Sequence, residues 1–212
     1  MTLNTLRNLT GAMLLSTAVM SVHAADEGFF VGGGLGASYG PKSCDVIEGH
    51  SGTKCDDKDF AWKLLAGYQF NPTFGVEAFY TDLGKLKTSY SADNDSAEYN
   101  RKMKGYGLAA TASWPIDKQT SLFGKAGFAH TTADVTAKGT EESGQYSEKF
   151  SNNDFMAGAG VKYDIDKNLS FRVEWEFFND VGKSKDDQAN SHIKLQDGVD
   201  MHLFSASLIY TF

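Results

Sequence analysis

Arg172, Glu174 and Glu176 stand two residues apart in LSFRVEWEFF, a spacing that puts three charges on one face of an extended strand and leaves Phe171, Val173, Trp175 and Phe177 on the other. Lys63, Glu77, Lys125 and Lys162 each sit in a similar alternating run. Carboxylates, ammonium groups and a guanidinium on one shared face can lock one another as ion pairs or line a path for ions; an unpaired buried ion costs several kcal/mol. The other residues capable of chemistry point to less. Nucleophilic hydrolysis needs a serine activated by a nearby histidine, and none of His50, His130, His192 and His202 belongs to a His-x-Ser pair. Asp56, Asp57 and Asp59, like Asp93, Asn94 and Asp95, lack the spacing of a calcium loop and read as solvated loop acids. The GGGLG run at 32–36 is followed directly by neither Lys-Ser nor Lys-Thr, and no helix opens after it, which excludes a phosphate-binding loop. No catalytic, cofactor or metal site is expected.

Eight alternating segments carry these residues. At 28–39, Phe29, Val31, Leu35, Ala37 and Tyr39 face away from Phe30, Gly32, Gly34, Gly36 and Ser38. At 61–70, Trp62, Leu64, Ala66, Tyr68 and Phe70 oppose Lys63, Leu65, Gly67 and Gln69; the turn Asn71-Pro72-Thr73 leads into 74–83, where Glu77 shares its face with Gly75, Phe79 and Thr81. Segments at 103–114, 121–130, 155–163 and 169–178 follow the same rule, with Lys125, Lys162, Arg172, Glu174 and Glu176 always opposite the apolar face. In the last, 199–212, Phe204, Ala206, Leu208, Tyr210 and Phe212 form one apolar row. Connections after the second, fourth and sixth segments are short, while the others run to about 20 polar residues. That rhythm is typical of a transmembrane barrel with short turns on one side and long loops on the other.

Residues 1–24 have one positive charge, Arg7, an apolar run over 9–22, and small residues before Ala24; this is expected to be a cleaved secretory leader, too short in its apolar part to span a bilayer. Residues 25–212 are then one domain. In an exported chain, Cys44 and Cys55 are read as a disulfide rather than as metal ligands, worth roughly 3 kcal/mol in the chain-entropy model. The net charge of -7 and the absence of a basic cluster argue against nucleic acid as a partner. A mean hydropathy of -0.35 with no second long apolar run excludes a helical membrane protein, whereas barrel strands hide their apolar residues in alternation. Aromatics gather at both ends of the apolar face: Phe29, Phe70, Phe74, Trp114, Tyr163, Phe171, Tyr210 and Phe212 near the short turns, and Tyr39, Trp62, Tyr80, Tyr106, Phe128, Phe155, Trp175, Phe177 and Phe204 near the long loops. Two aromatic belts are what the two interfaces of a bilayer select. The fold expected is all-β: an eight-stranded antiparallel up-and-down transmembrane β-barrel with short periplasmic turns and four long extracellular loops.

The stretches GYQFNPTFGVEAFYTDLG at 67–84, ASWPI at 112–116, FGKAGFA at 123–129, GAGVKYDIDKNLSFRVEWEFFND at 158–180 and the final SLIYTF together resemble the OmpA transmembrane-domain family of outer-membrane barrels. The resemblance implies residence in the cell outer membrane, contact with its lipid including lipopolysaccharide, and no cofactor. It also implies that Phe204, Leu208, Tyr210 and Phe212 act as the C-terminal signal for the barrel-assembly machinery. Some barrels of this size modify lipid A, but no deacylase-like pair is present here. OmpA itself continues into a peptidoglycan-binding domain, whereas this sequence stops at the last strand, so stand-alone barrels of the OmpX type are the better analogy. Glu77, Lys125, Arg172 and Glu174 match positions of the inward cluster that fills the family's lumen, and with Lys162 and Glu176 they are read as a salt-bridge cluster. Two roles use the same residues: a structural plug beneath loops that meet an extracellular ligand, or the gate of a narrow channel.

Overall fold

Strands that present apolar side chains to lipid on one face cannot leave an open edge there, because unpaired N–H and C=O groups have no water to turn to. The sheet must close, and it does. In the computed structural model, which describes residues 27–41, 53–92, 95–139, 146–182 and 198–212, the strands are β1 (Gly28–Tyr39), β2 (Thr53–Asp56), β3 (Lys58–Gln69), β4 (Phe74–Ala92), β5 (Asp95–Pro115), β6 (Thr120–Gly139), β7 (Tyr146–Asp164), β8 (Leu169–Val181) and β9 (Val199–Thr211). Every neighbouring pair is antiparallel, and β1 closes on β9 with Phe30 opposite Thr211 and Tyr39 opposite His202. The short β2 pairs with β4 beyond the end of β3, so the barrel has eight staves. The expected leader lies outside the described residues, and so does Cys44 of the expected Cys44–Cys55 disulfide, while the backbone of Cys55 belongs to β2.

The face assignments follow the alternation. Phe29, Leu35, Leu108, Phe128, Phe204 and Leu208 stand exposed on the outer wall, and Phe30, Leu65, Phe79, Phe123 and Ile209 are buried inside. The outer aromatics touch one another at both ends. Phe29, Tyr68 and Phe70 form one chain of ring contacts near the short turns; Trp62 meets Tyr80, and Phe128 meets Phe155, near the long loops.

Two connections differ from the expected polar loops. Pairing between β4 and β5 continues from Phe74 opposite Ala112 to Ala92 opposite Asp95, and between β6 and β7 it reaches Ala137 opposite Tyr146. Ladders are held by backbone groups, so Lys, Thr, Ser and Tyr can extend a strand beyond the membrane as readily as apolar residues within it. A bulge at Asp82–Gly84 marks where β4 passes into this extension: Gly84 has φ 77°, its N–H donates to Asp82 Oδ1, and the next N–H, of Lys85, donates to Asp59 Oδ2 at 2.6 Å. A Cβ at Gly84 would lie 2.7 Å from the Phe60 carbonyl oxygen, so glycine is required by space as well as by φ.

The three short turns use one device. Asn71 Oδ1 accepts the N–H groups of Thr73 and Phe74, Asp117 Oδ1 those of Gln119 and Thr120, and Asp166 Oδ1 those of Asn168 and Leu169. The donated amides hold the Asp117 and Asp166 carboxyls below their ordinary range. A carboxylate with a depressed folded pKa lends stability that is complete above its unfolded pKa and fades as the pH falls through the folded one. Below about pH 4 the urea unfolding midpoint of the native sequence should therefore fall more steeply than that of the Asp117→Asn, Asp166→Asn variant, whose amides keep the turn in the manner of Asn71. Equal slopes would contradict this account of the turns.

Candidate functional site

An eight-stranded barrel has an interior just wide enough for side chains. Into it β3 sends Lys63, β4 sends Glu77, β6 sends Lys125 and β8 sends Arg172, Glu174 and Glu176, all no more than 5% exposed. Lys63 Nζ lies 2.9 Å from Glu174 and 2.8 Å from Glu176. Lys125 Nζ reaches Glu77 at 3.0 Å and both Glu174 and Glu176 at 2.7 Å, the last two as ion contacts outside hydrogen-bond angles. Arg172 Nη2 donates to Glu77 at 2.7 Å and to Glu174 at 3.2 Å. Three cations face three anions, and every member touches at least two of opposite sign.

Small neighbours make the space. Across the ladders Lys63 pairs with Gly34, Glu77 with Gly67 and Ala109, Lys125 with Gly158, and Glu174 with Gly160 and Ser205. A Cβ at Gly158 would lie 3.1 Å from Lys125 Cε and 3.2 Å from Glu176 Cγ, and one at Gly160 would lie 2.8 Å from the Phe123 ring. Gly67, Gly158 and Gly160 are thus the sockets for long charged and aromatic side chains from their neighbours, Gly67 for the Phe30 ring. Aromatic faces finish the shell, with Arg172 Cζ 4.7 Å from the Phe123 ring centre and Lys125 Nζ 6.0 Å from that of Phe79.

Of the six residues grouped from the sequence, Glu77, Lys125, Arg172, Glu174 and Glu176 come together, and Lys63 joins them. Lys162 does not. It is the cross-strand neighbour of Arg172, and two like charges side by side turn apart: Arg172 towards Glu77 and Glu174, Lys162 towards Asp164 at 3.2 Å near the short turns, where it is partly exposed. Sequence reasoning also missed a second layer. Met156, Phe178 and Met201 stand in one row across β7, β8 and β9, one pleat on the long-loop side of Gly158, Glu176 and Leu203. All three are fully buried, as are Met103 and Leu203. Beyond them Asn152 and Thr131 both donate to the Asp154 carboxylate. The inward parity of Met156 was readable; that Phe178 meets Phe79 of β4 across the lumen, with ring centres 6.1 Å apart, was not.

The histidines of the outer wall have other partners. His130 Nδ1 lies 2.8 Å from Asn153 Oδ1, and His202 Nδ1 accepts from Trp175 Nε1 at 3.1 Å. Among the described residues, no group of three His, Cys, Asp or Glu side chains is arranged to hold a metal.

Removing one member of a buried ion cluster strands its partners, at a cost of about 3 to 5 kcal/mol. Lys63→Met, which keeps the unbranched stem of the side chain but not its charged end, should lower stability by that amount in urea unfolding from lipid vesicles. Adding Glu176→Gln should cost less than the sum of the two single changes, because neutrality is restored. Small, additive effects would mean that the charges are individually hydrated.

The OmpA-like transmembrane domain family matches residues 24–212. Outer membrane protein A of Yersinia pseudotuberculosis serotype I is 26% identical over 178 residues, covering 82% of this chain and 48% of the relative; that of Klebsiella pneumoniae is 25% identical over 171 residues, covering 77% and 47%. The match to outer membrane protein A of Serratia marcescens, 29% identical over 120 residues, covers 55% of this chain and 31% of that protein. The chain thus spans about half or less of the length of these relatives. Among solved structures, Neisserial surface protein A superposes with a TM-score of 0.57 at 14% identity, covering 87% of this chain and 97% of that one. OprG of Pseudomonas aeruginosa gives 0.55 at 14%, covering 90% and 99%. At these identities the structural likeness speaks for the fold. With a family match over nearly the whole sequence and a closed eight-stranded barrel whose outer wall is apolar between two aromatic belts, the chain belongs to the OmpA-like transmembrane domain family and is a β-barrel of the bacterial outer membrane.

Proposed function

We propose that this barrel is a closed scaffold that holds interaction surfaces outside the cell, and that it does not conduct solutes. The observation that carries the reading is the occupation of the lumen by two successive layers, the six-residue ion cluster and an apolar layer in which Met156, Phe178 and Met201 are fully buried and Phe178 meets Phe79 of the facing strand β4. A conducting path would have to break ion contacts and displace buried methionine and phenylalanine together. The long-loop end has the opposite character. The β4–β5 ribbon runs from the bulge at Gly84 to Ala92, roughly 30 Å of continuous pairing at the usual rise per residue. Ribbons anchored in a rigid barrel lose little entropy when a partner binds, so adhesion or host contact is the role that suits them. The Ail protein of Yersinia pestis, a barrel of the same fold (TM-score 0.50, 17% identity), has been solved in complex with a heparin analogue. An extracellular ligand is the corresponding expectation here.

Planar-bilayer recording separates this role from that of a channel. The refolded protein should give no steady unitary conductance, and the Lys63→Met variant, with its lattice opened, should give at most brief openings. Stable openings of the native sequence would overturn the closed-scaffold reading in favour of a narrow ion channel.

A further inference from the structure

The outer wall changes character in four rows across β5, β6 and β7, read towards the long-loop end. Leu108, Phe128 and Phe155 form an exposed apolar row; Tyr106, His130 and Asn153 follow, with Tyr80 beside Tyr106 on β4. Next come Lys104, Thr132 and Ser151, and then Lys102, Asp134 and Lys149. A cavity of about 280 Å³ opens on this slope, lined by Tyr80 and Tyr106 at its lower side and by Lys104, Thr132, Lys149 and Ser151 above.

This cavity lies on the wall that meets lipid, not in the lumen, at the level where hydrocarbon gives way to headgroups. Its lining brings two ammonium groups from different strands and two hydroxyls, Thr132 Oγ1 and Ser151 Oγ, which lie 3.3 Å apart. Acidic neighbours offset the charge only in part. Asp134 stands 3.9 Å from Lys104, and Asp82 is engaged with Lys102 at 3.5 Å. Cations with hydroxyl donors above an apolar floor suit an amphiphile whose phosphate sits over its acyl chains.

We infer that the cavity is a binding site for a phosphorylated lipid of the outer leaflet, with its phosphate held by Lys104, Lys149, Thr132 and Ser151. Its acyl chains lie along Leu108, Phe128 and Phe155, and Tyr80 and Tyr106 pack against the headgroup between. The lysines supply attraction and the hydroxyls fix the phosphate. A free phosphate ion would use the upper half of the site alone, and an uncharged lipid the lower half alone.

Native mass spectrometry of the refolded protein, released from neutral detergent micelles containing purified lipid A, tests the assignment. The native sequence should retain one lipid A, and the Lys104→Gln, Lys149→Gln variant should bind it about thirtyfold more weakly. A control variant in the short turns, Lys118→Gln with Lys167→Gln, should bind as the native protein does. Dephosphorylated lipid A should bind the native protein and the Lys104→Gln, Lys149→Gln variant equally weakly. If that double variant does not refold, each single change is measured and should cost several-fold. Binding unchanged by the lysine substitutions, an equal loss in the control variant, or native-level retention of dephosphorylated lipid A would each overturn the site.

Discussion

Charge neutrality in a space too narrow for bulk water is the constraint on which the rest of this barrel depends. Six ionised side chains lie inside the wall with three charges of each sign, connected by contacts of 2.7 to 3.2 Å. In a low-dielectric interior the desolvation of such groups costs several kcal/mol each, recovered only when every charge finds partners with good geometry. Lys125 has three carboxylates around it and Glu174 three cations. Because the contacts join β3, β4, β6 and β8, the lattice also fixes how opposite walls of the barrel stand to one another, which backbone pairing between neighbours cannot do alone.

The inner glycines follow from that constraint. A long side chain reaching the middle of the lumen needs a neighbouring wall with no side chain in its path, and Gly158, beside Lys125 and Glu176, supplies one. Phe123 in turn fills the space over Gly160 and stacks on Arg172. On the outside the demand is reversed: no charge is tolerated in the apolar band, and polar residues appear only where the wall reaches the Tyr106 and His130 level and the lysines above it. One strand thus meets two solvents, one lipid and one made of its own ions, and strict alternation serves both.

That alternation is why so much was legible in the sequence. A period of two assigned the faces of every barrel strand without reference to partners, so the inward position of Lys63, Glu77, Lys125, Arg172, Glu174 and Glu176 needed only local information. What it could not supply was axial level. Lys162 carries the same parity and would balance the charges as well as Lys63 does, and only the register, which sets Lys162 beside Arg172, sends it to Asp164. The extended β4–β5 and β6–β7 ribbons escaped for a related reason. Polarity marked where the membrane ends but not where backbone pairing ends. The apolar row of Met156, Phe178 and Met201 depends on the alignment of three strands, so no single segment carried its signal.

The dryness of the ion lattice is the central claim, and the exchange of lysine ammonium protons with water measures it most directly. In the refolded protein labelled on its lysine side chains, NMR should find the ammonium protons of Lys63 and Lys125 exchanging orders of magnitude more slowly than those of Lys118 and Lys167, which stand in the solvated turns. Exchange of Lys63 and Lys125 at the rate of the turn lysines would mean that water reaches the lattice freely, and the account of a lumen closed by its own charges would be wrong.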